Sequence, residues 1–341
     1  MKVCIISGTY NPGKCGISDY IDLLSEKLRN LNHKVIHTSV YHADQHNDFI
    51  QDYPNYDLYS IQFAPYAFSS NGVINKSILK LAKCLNTQKT HINFHEIWIG
   101  SYPRASLKER LTGFRQKLKI LNFIKHLNPN FITSTNAAAI DRLALAGIKA
   151  DYLYLFGNIP HSPTHRLEGK KTCNFAIFGT PYENFPYYLL AQKTKELSET
   201  LNLPINIYVI GIQREKKGLN RIKNFSDEYG FSLVECGELS AEQISKELAQ
   251  CDFGISTTPY DVIGKSGATA AMLEHRLPLI VYDDGDTPTE KLFVLDEFSD
   301  QIYFLDSEDL ISELVACFNK KRKPCFDGAA YAVNQMLKLI S

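Results

Sequence analysis

Short apolar runs alternate with amphipathic stretches from one end of the chain to the other. The runs have the length of buried strands, and the stretches between them repeat apolar residues three and four positions apart, as helices do. This alternation predicts an α/β protein built on parallel sheets. The predicted strands form two series, at residues 3–7, 34–38, 58–63, 91–94, 131–134 and 152–155, and then at 174–178, 205–210, 232–236, 253–256, 279–282 and 301–304.

The periodicity lapses over residues 157–171, which contain two prolines and several polar residues, as a linker does. We therefore expect an N-terminal domain at 1–160, a C-terminal domain at 161–325, and a final helix at 326–341 that packs back on the first domain. The longest predicted helix repeats apolar residues that we expect to face a sheet. These are Leu107, Leu111, Phe114, Leu118 and Leu121.

Composition narrows the class of protein. The 341 residues, 44% of them hydrophobic, suffice for two cores. Lys plus Arg and Asp plus Glu cancel at 37 each, so nothing in the overall charge favours nucleic acid as a partner. The eight cysteines show no C-x-x-C pair, and no apolar run is long enough for a signal peptide or a membrane span. We expect a cytoplasmic location and neither a disulfide framework nor a zinc site.

A turn rich in small residues follows the predicted strand at 253–256 and begins a short helix. Backbone N–H groups at a helix N-terminus are unpaired and carry the positive end of the helix dipole. Lys265, Ser266 and Gly267 are therefore expected to receive a diphosphate, with Ala268 and Thr269 beside them. A plain helix start capped by Ser266 is the alternative.

A second turn of this kind follows the first strand. Residues 8–20 contain three glycines, Lys14 and the start of a helix, and Gly16 is its candidate phosphate contact. The spacing is neither G-x-G-x-x-G nor that of a P-loop, which disfavours a nucleotide-cofactor dehydrogenase and a P-loop ATPase. A purely structural glycine loop is equally compatible with the sequence.

Ionisable residues follow two strands of the first series. His95 and Glu96 come directly after the fourth strand, where ligands of open parallel sheets bind. Asp19 lies in the first turn of the first helix, where it is either a favourable charge at the helix N-terminus or a base. A buried histidine satisfied by a core hydrogen bond and a glutamate in a surface pair are the alternatives.

The segment 104–125 is strongly basic. A basic amphipathic helix is suited to an anionic membrane surface, while an ordinary packed helix with a solvated face is the alternative. Its cations, set against the single Glu109, are Arg104, Lys108, Arg110, Arg115, Lys117, Lys119 and Lys125.

Taken together, these residues resemble a GT-B glycosyltransferase of the broad family-four type, which includes many bacterial polysaccharide and lipid-linked sugar transferases. The likeness covers nearly the whole chain and depends on the order of individually weak matches. They are the segments 15–20, 32–35, 95–96, 134–136, 158–160, 178–180, 209–211 and 266–278.

The resemblance implies two Rossmann-like domains facing a cleft. It further implies a nucleotide-sugar donor, more often UDP-linked, and a glycan or lipid-linked acceptor. Such enzymes need no metal, and the nucleotide sugar is a substrate rather than a cofactor. The donor's leaving group would be stabilised by helix N-termini and a basic side chain, here Lys265. His95 and Glu96 would meet the donor sugar or the acceptor, and Asp19 or Glu96 would be the base of an inverting reaction.

The chain departs from the family pattern at the donor site. The two glutamates that the family often carries correspond here to Ile263 and Ala271, and Glu274 would reach the ribose only by a shift along the helix. The usual Arg and Lys near the start of the second domain are replaced by residues 180–184. A nucleotide-sugar epimerase or hydrolase and a non-catalytic partner subunit of the same fold therefore stay open.

Overall fold

A computed structural model describes residues 1–13, 15–40, 55–101, 105–161, 171–213, 215–283 and 296–340. The chain forms two compact units. The first contains Met1–Tyr154 and the C-terminal residues from Ala329, and the second contains Leu155–Gly328. Each unit has a six-stranded parallel sheet flanked by helices, so the predicted α/β architecture with two Rossmann-like units is confirmed.

The first unit has the strand order β2-β1-β3-β4-β5-β6, with every pair parallel. The chain runs from β1 to β2 on one side of the sheet and then to β3 on the other, so its topological switch point lies between β1 and β3. The strands are β1 (Lys2–Ser7), β2 (Lys34–Ser39), β3 (Leu58–Phe63), β4 (Thr90–Phe94), β5 (Phe131–Ser134) and β6 (Asp151–Tyr152).

The final helix of the chain belongs to this first unit, as expected. The Lys89 ammonium donates to the Ile340 carbonyl at 2.6 Å, and the Gln335 amide bridges the backbone of Tyr152 and Tyr154 at 3.0 Å each. The helices of the unit are α1 (Gly16–Asn30), α2 (Pro65–Phe68), α3 (Lys76–Leu85), α4 (Leu107–Leu127), α5 (Ala137–Ala144) and, after the second unit, α11 (Gly328–Ile340).

The second unit has the order β12-β11-β10-β7-β8-β9, the strand order of dinucleotide-binding Rossmann domains. Its strands are β7 (Cys173–Phe178), β8 (Ile205–Ile210), β9 (Ser232–Gly237), β10 (Phe253–Ile255), β11 (Leu279–Val281) and β12 (Ile302–Phe304). Its helices are α6 (Tyr187–Leu201), α7 (Lys216–Tyr229), α8 (Ala241–Gln250), α9 (Gly267–Glu274) and α10 (Leu310–Phe318), with 3₁₀ turns at Tyr260–Lys265 and Asp296–Gln301.

Helix α4 contradicts the predicted orientation. The residues expected to face the sheet include the most exposed large apolar side chains of the helix, Leu107, Leu111, Phe114 and Leu118. The buried face is the opposite one, with Ile120, Phe123, Ile124 and Leu127 in the core of the first unit.

Two small or polar residues explain this reversal. A Cβ at Gly113 would overlap the Ile99 carbonyl, so glycine lets the loop after β4 lie directly on the helix. One turn later, the buried Gln116 accepts a hydrogen bond from the Ile99 N–H at 2.9 Å. A pattern of apolar residues misses this face because its closest contacts are made by a glycine and an amide.

A search of the described helices for a membrane-spanning segment finds no candidate, because none combines the necessary length with sufficient apolarity.

Candidate functional site

The switch point of the second unit lies between β7 and β10, and the loops that follow these two strands meet there. Ligands of open α/β sheets bind outside the carboxyl ends of the strands at such points. The Tyr182 N–H in the loop after β7 donates to the Thr257 hydroxyl in the loop after β10, at 3.0 Å. A Cβ built on Gly179 would lie 3.4 Å from the Ala268 side chain, so the first turn of α9 adjoins the same place.

Ser266 caps helix α9 and organises this turn. Its hydroxyl accepts the Thr269 N–H at 3.2 Å and the Thr269 hydroxyl at 2.9 Å. Thr258 also donates to it at 3.3 Å, and Ser256 bonds the Thr269 hydroxyl at 2.8 Å. Ser266 is therefore a helix cap, and its hydroxyl and that of the buried Thr269 bond within the turn itself.

The cap leaves donors facing outward. Within the described part of the chain, the Gly267 and Ala268 amides have no acceptor, as expected for the first turn of a helix. No heavy atom lies within 4 Å of a Cβ added to Gly267, so there is open space beside this residue. Lys265 is exposed at the end of the preceding 3₁₀ turn and forms no ion pair with a described residue. The turn thus offers two amides, a helix dipole and an ammonium to an anion.

Glu274 lies at the other end of α9, where it is almost fully buried. Its carboxylate accepts the Gly157 N–H at 2.9 Å, and its backbone carbonyl accepts the Phe326 N–H at 2.9 Å. Ala271, one turn earlier, is fully buried, and a Cβ added to Gly157 would lie 2.6 Å from its Cα. This face of α9 therefore packs on the start of the second unit, which accounts for alanine where the family pattern has glutamate.

The first unit has its own turn at the corresponding edge. After β1 the loop approaches α2 closely, with the Thr9 N–H donating to the Ala67 carbonyl at 2.7 Å. Asp19, half-buried in the first turn of α1, accepts the Gly13 N–H at 2.6 Å. Gly16 is the first residue of α1 and is exposed, while Lys14 lies outside the described residues. Because the Asp19 carboxylate already accepts an amide of this turn, the turn is a weaker candidate for anion binding than the one at α9.

His95 and Glu96 lie side by side after β4 but in opposite environments. Glu96 is exposed, whereas His95 is buried against the edge of the Tyr20 ring, with 4.8 Å between ring centroids. The His95 Nε2 donates to the Gln62 side-chain oxygen at 2.9 Å. Burial, aided by the neighbouring His91, lowers the pKa of His95 to about 3, so its ring is neutral at pH 7.

The Gln62 contact belongs to a closed ring of hydrogen bonds across three strands, which the sequence did not reveal. The Thr133 hydroxyl donates to Asn93 Oδ1 at 2.9 Å and therefore accepts from His91 Nε2, at 2.8 Å. His91 Nδ1 then accepts from the Ser60 hydroxyl at 3.0 Å. Gln62 closes the ring by donating to Ser60 at 2.9 Å and accepting from Asn93 at 3.1 Å.

This ring, formed by Ser60, Gln62, His91, Asn93 and Thr133, is inaccessible to solvent. Burial lowers the pKa of His91 to about 4, which keeps its ring neutral. Each member accepts from one neighbour and donates to the next, in one direction around the ring. His95 Nε2 lies 2.9 Å from the Gln62 oxygen and 3.4 Å from the Asn93 amide nitrogen. The shorter contact and the second lone pair of the Gln62 oxygen favour the Nε2–H tautomer, so the ring orients His95.

The predicted site residues thus fall into two groups. Lys265, Ser266, Gly267, Ala268 and Thr269 share one turn of the second unit, while Glu274 is buried at the far end of the same helix. Asp19, His95 and Glu96 lie at the carboxyl edge of the first unit's sheet, with Gly16 at the start of α1. Their roles toward a ligand stay predictions.

Solved structures of similar architecture span the whole chain. An α-glucosyltransferase in complex with UDP-glucose and DNA covers 100% of this chain and 99% of its own, with a TM-score of 0.57 and 10% identity. The chain has the GT-B fold. The structure of HepE from Anabaena in complex with UDP matches 100% of this chain and 95% of its own chain, with a TM-score of 0.52 and 11% identity. A protein assigned as UDP-N-acetylglucosamine 2-epimerase from Listeria monocytogenes matches 99% of this chain and 95% of its own chain, with a TM-score of 0.55 and 13% identity.

No family model matches the sequence, and no curated protein matches it. At these identities the solved structures establish the fold alone.

Proposed function

We propose that the protein transfers a sugar from a nucleotide-diphosphate sugar, preferentially a UDP-sugar, to a hydroxyl group of a glycan or lipid-linked acceptor. The observation that carries this proposal is the open turn at the start of α9. It combines two unpaired amides with the exposed Lys265 at the switch point of a Rossmann-like sheet. Structures of the same fold have been solved with UDP or UDP-glucose bound, which supports the choice of nucleotide.

The proposed turn would act on the leaving group. When the bond between the sugar and the diphosphate breaks, negative charge grows on the departing phosphate oxygens. Helix amides and an ammonium aimed at these oxygens stabilise that charge without reorganising, which is the usual role of preorganised donors in catalysis. Lys265, Gly267 and Ala268 supply such donors, and a metal ion is unnecessary for this step.

The first unit would contribute to the acceptor side. His95 is neutral and donates to Gln62 through Nε2, so its Nδ1 is suited to accept a hydrogen bond without carrying charge. If the reaction inverts the anomeric configuration, a general base must remove the acceptor proton, and Asp19 and Glu96 are the candidates. Glu96 is exposed, whereas Asp19 already accepts the Gly13 amide. We therefore favour Glu96 as the base of an inverting reaction and Asp19 as a support of the β1 loop.

Calorimetric titration with UDP, UDP-sugars, GDP and ADP tests the donor proposal. A charge-assisted hydrogen bond contributes about 1.5–3 kcal/mol, so Lys265→Ala is expected to weaken UDP binding by about tenfold to a hundredfold. Lys320→Ala is the matched control, because Lys320 is exposed after α10 in the same unit and is expected to leave the affinity unchanged.

Gly267→Val provides a second, steric test. Nothing lies within 4 Å of a Cβ at this position, so we expect the variant to fold with a melting temperature close to that of wild type while its methyl groups occupy the space proposed for the phosphate. If wild type binds no nucleotide, the non-catalytic partner subunit is the better description. If wild type binds UDP and both variants bind it equally well, the donor site lies elsewhere.

The epimerase alternative has one observation in its favour, the similarity in fold to the Listeria protein. It predicts that UDP-N-acetylglucosamine is isomerised or hydrolysed with no acceptor present. Proton NMR of the nucleotide sugar incubated with the protein alone separates the two activities. An unchanged anomeric signal, with turnover only after a glycan acceptor is added, supports the transferase. New sugar signals without an acceptor support the epimerase or hydrolase.

A further inference from the structure

Helix α4 displays a row of large apolar side chains to solvent, which we name the apolar stripe. It consists of Leu107, Leu111, Phe114 and Leu118, whose exposed fractions are 86, 57, 59 and 53%. Scattered exposed apolar residues are common, but four on one helix form a contiguous patch of the kind that marks an interaction surface.

The stripe is straight and faces away from the sheet. Residues four, three and four positions apart at about 100° per residue fall within about 40° of one line, and they extend about 17 Å along the axis. The core contacts of the helix, among them Ile120, Phe123 and Leu127, lie on the opposite side. The helix is thus apolar on two faces, and one of them has no partner within the described residues.

Helix α4 is held in place by its own cap and by contacts with the preceding loop, so the stripe is formed without any binding surface. Ser106 and Glu109 form a capping box at its start, with the Glu109 N–H donating to the Ser106 hydroxyl at 3.3 Å. Gln116 holds the Ile99 backbone at 2.9 Å, and the Lys117 ammonium lies 5.5 Å from the centre of the Trp98 ring. A preformed helix loses little conformational entropy when its outer face binds.

Positive charge borders the stripe on both sides. Helix α4 contains six Lys or Arg residues and a single Glu. On a helical wheel, Lys108, Arg115 and Lys119 lie on one side of the stripe, about 80–120° from its line. Arg110 and Lys117 lie on the other side, and Lys125 continues the line toward the C-terminus. All of these except Lys117 are exposed.

We propose that the apolar stripe seats the first unit in the surface of a bilayer that contains anionic lipids. Leucine and phenylalanine side chains enter the boundary between head groups and acyl chains, while lysine and arginine on both sides meet lipid phosphates. A second copy of the chain fits poorly, because pairing two stripes would bring two rows of cations together. The proposal is independent of the reaction that the protein catalyses.

Sedimentation with vesicles tests the proposal on the full chain. One set of vesicles is phosphatidylcholine alone, and the other contains about 30 mol% phosphatidylserine, which provides the negative surface that basic segments bind. Wild type is expected to pellet with the anionic vesicles at low salt, to pellet less at high salt because the charges are screened, and to remain in solution with the neutral vesicles.

Two sets of variants separate the charge from the apolar side chains. Each cation near an anionic surface contributes about 1 kcal/mol, or about fivefold, so Lys108→Gln/Arg115→Gln/Lys119→Gln should weaken binding by about a hundredfold. The control Lys2→Gln/Lys34→Gln/Lys149→Gln makes the same change in net charge. These lysines are exposed at or near the amino ends of strands β1, β2 and β6, and the control should bind as wild type does. Leu111→Gln/Phe114→Gln should abolish the binding that survives at high salt.

Three results would overturn the proposal. The first is an absence of pelleting with anionic vesicles at low salt. The second is pelleting that the charge and stripe variants leave unchanged. The third is a dimer in sedimentation velocity that Leu111→Gln/Phe114→Gln dissociates without any effect on vesicle binding, which would assign the stripe to a second copy of the chain.

Discussion

The buried hydrogen-bond ring beneath His95 gives the sharpest prediction about this fold. Thr133→Val replaces a hydroxyl by a methyl group of nearly the same shape. The hydroxyl is the acceptor for His91 Nε2–H and the donor to Asn93 Oδ1, at 2.8 and 2.9 Å. The substitution therefore deprives two polar groups of their partners in a place that water does not reach, since all three residues are at most 1% exposed.

The expected cost follows from this count. An unsatisfied buried polar group costs about 1–3 kcal/mol, so two of them should lower the free energy of unfolding by about 2–6 kcal/mol. Domains are commonly stable by about 5–15 kcal/mol in total, so the effect should be obvious. Thr87→Val is the matched control, because Thr87 is exposed in the same unit and surface changes seldom exceed about 0.5 kcal/mol.

The chain provides its own reporter for the assay. Trp98 is the single tryptophan of the sequence and lies buried in the first unit, so its fluorescence during urea unfolding follows that unit separately from the second. A shift of the midpoint to lower urea with an unchanged slope is expected for Thr133→Val. If Thr133→Val and Thr87→Val unfold at the same urea concentration, the ring contributes no stability and the reasoning is refuted.

Other features make further predictions. Gly8→Ala should lower the melting temperature, because the new methyl group would overlap the backbone of α2, and calorimetry that shows no change would contradict this close approach. The free energy of unfolding should fall as the pH drops from about 6.5 toward 4. In this range His91 and His95 bind protons in the unfolded chain but stay neutral in the folded protein, where burial lowers their pKa to about 4 and about 3. Urea titrations should give a slope of up to about 1.4 kcal/mol per pH unit for each histidine. Glu274→Ala should destabilise the second unit by about 1–3 kcal/mol by orphaning the Gly157 amide, whereas Glu274→Gln should retain most of the stability.

Much of the fold was predictable from the sequence because parallel strands buried on both faces appear as short apolar runs. All twelve predicted strands are present, with ends that differ by up to three residues. The largest of these differences is at β6, which ends at Tyr152 although the apolar run continues to Leu155. Apolarity identifies burial, but a strand also needs a neighbouring strand with which to pair.

The reversed orientation of α4 shows what periodicity alone does not contain. Both faces of this helix are apolar, so the pattern gives two equivalent solutions. Gly113 and Gln116 decide between them. Gly113 allows the Ile99 backbone to lie directly on the helix, and the Gln116 side chain accepts a hydrogen bond from the Ile99 N–H. Such contacts depend on the path of the loop that precedes the helix, and no single-residue preference encodes them.

The candidate site was predictable in part. A turn after a strand, with small residues and a lysine before a helix, identified the start of α9, and the structure places that turn at the switch point of the sheet. The polar ring was not predicted. Its signal is a polar residue at alternate positions of β3 and β4, and it becomes visible only when the register pairs Ser60 with His91 and Gln62 with Asn93.

Amide hydrogen exchange with and without UDP tests the central claim most directly, because it locates the ligand as well as detecting it. Binding of a ligand to folded protein slows exchange where the ligand holds the backbone. We predict that saturating UDP protects the amides of Gly267 and Ala268 and the adjoining Gly179 loop, and that Lys265→Ala reduces this protection. UDP binding with exchange at the start of α9 unchanged would contradict the account.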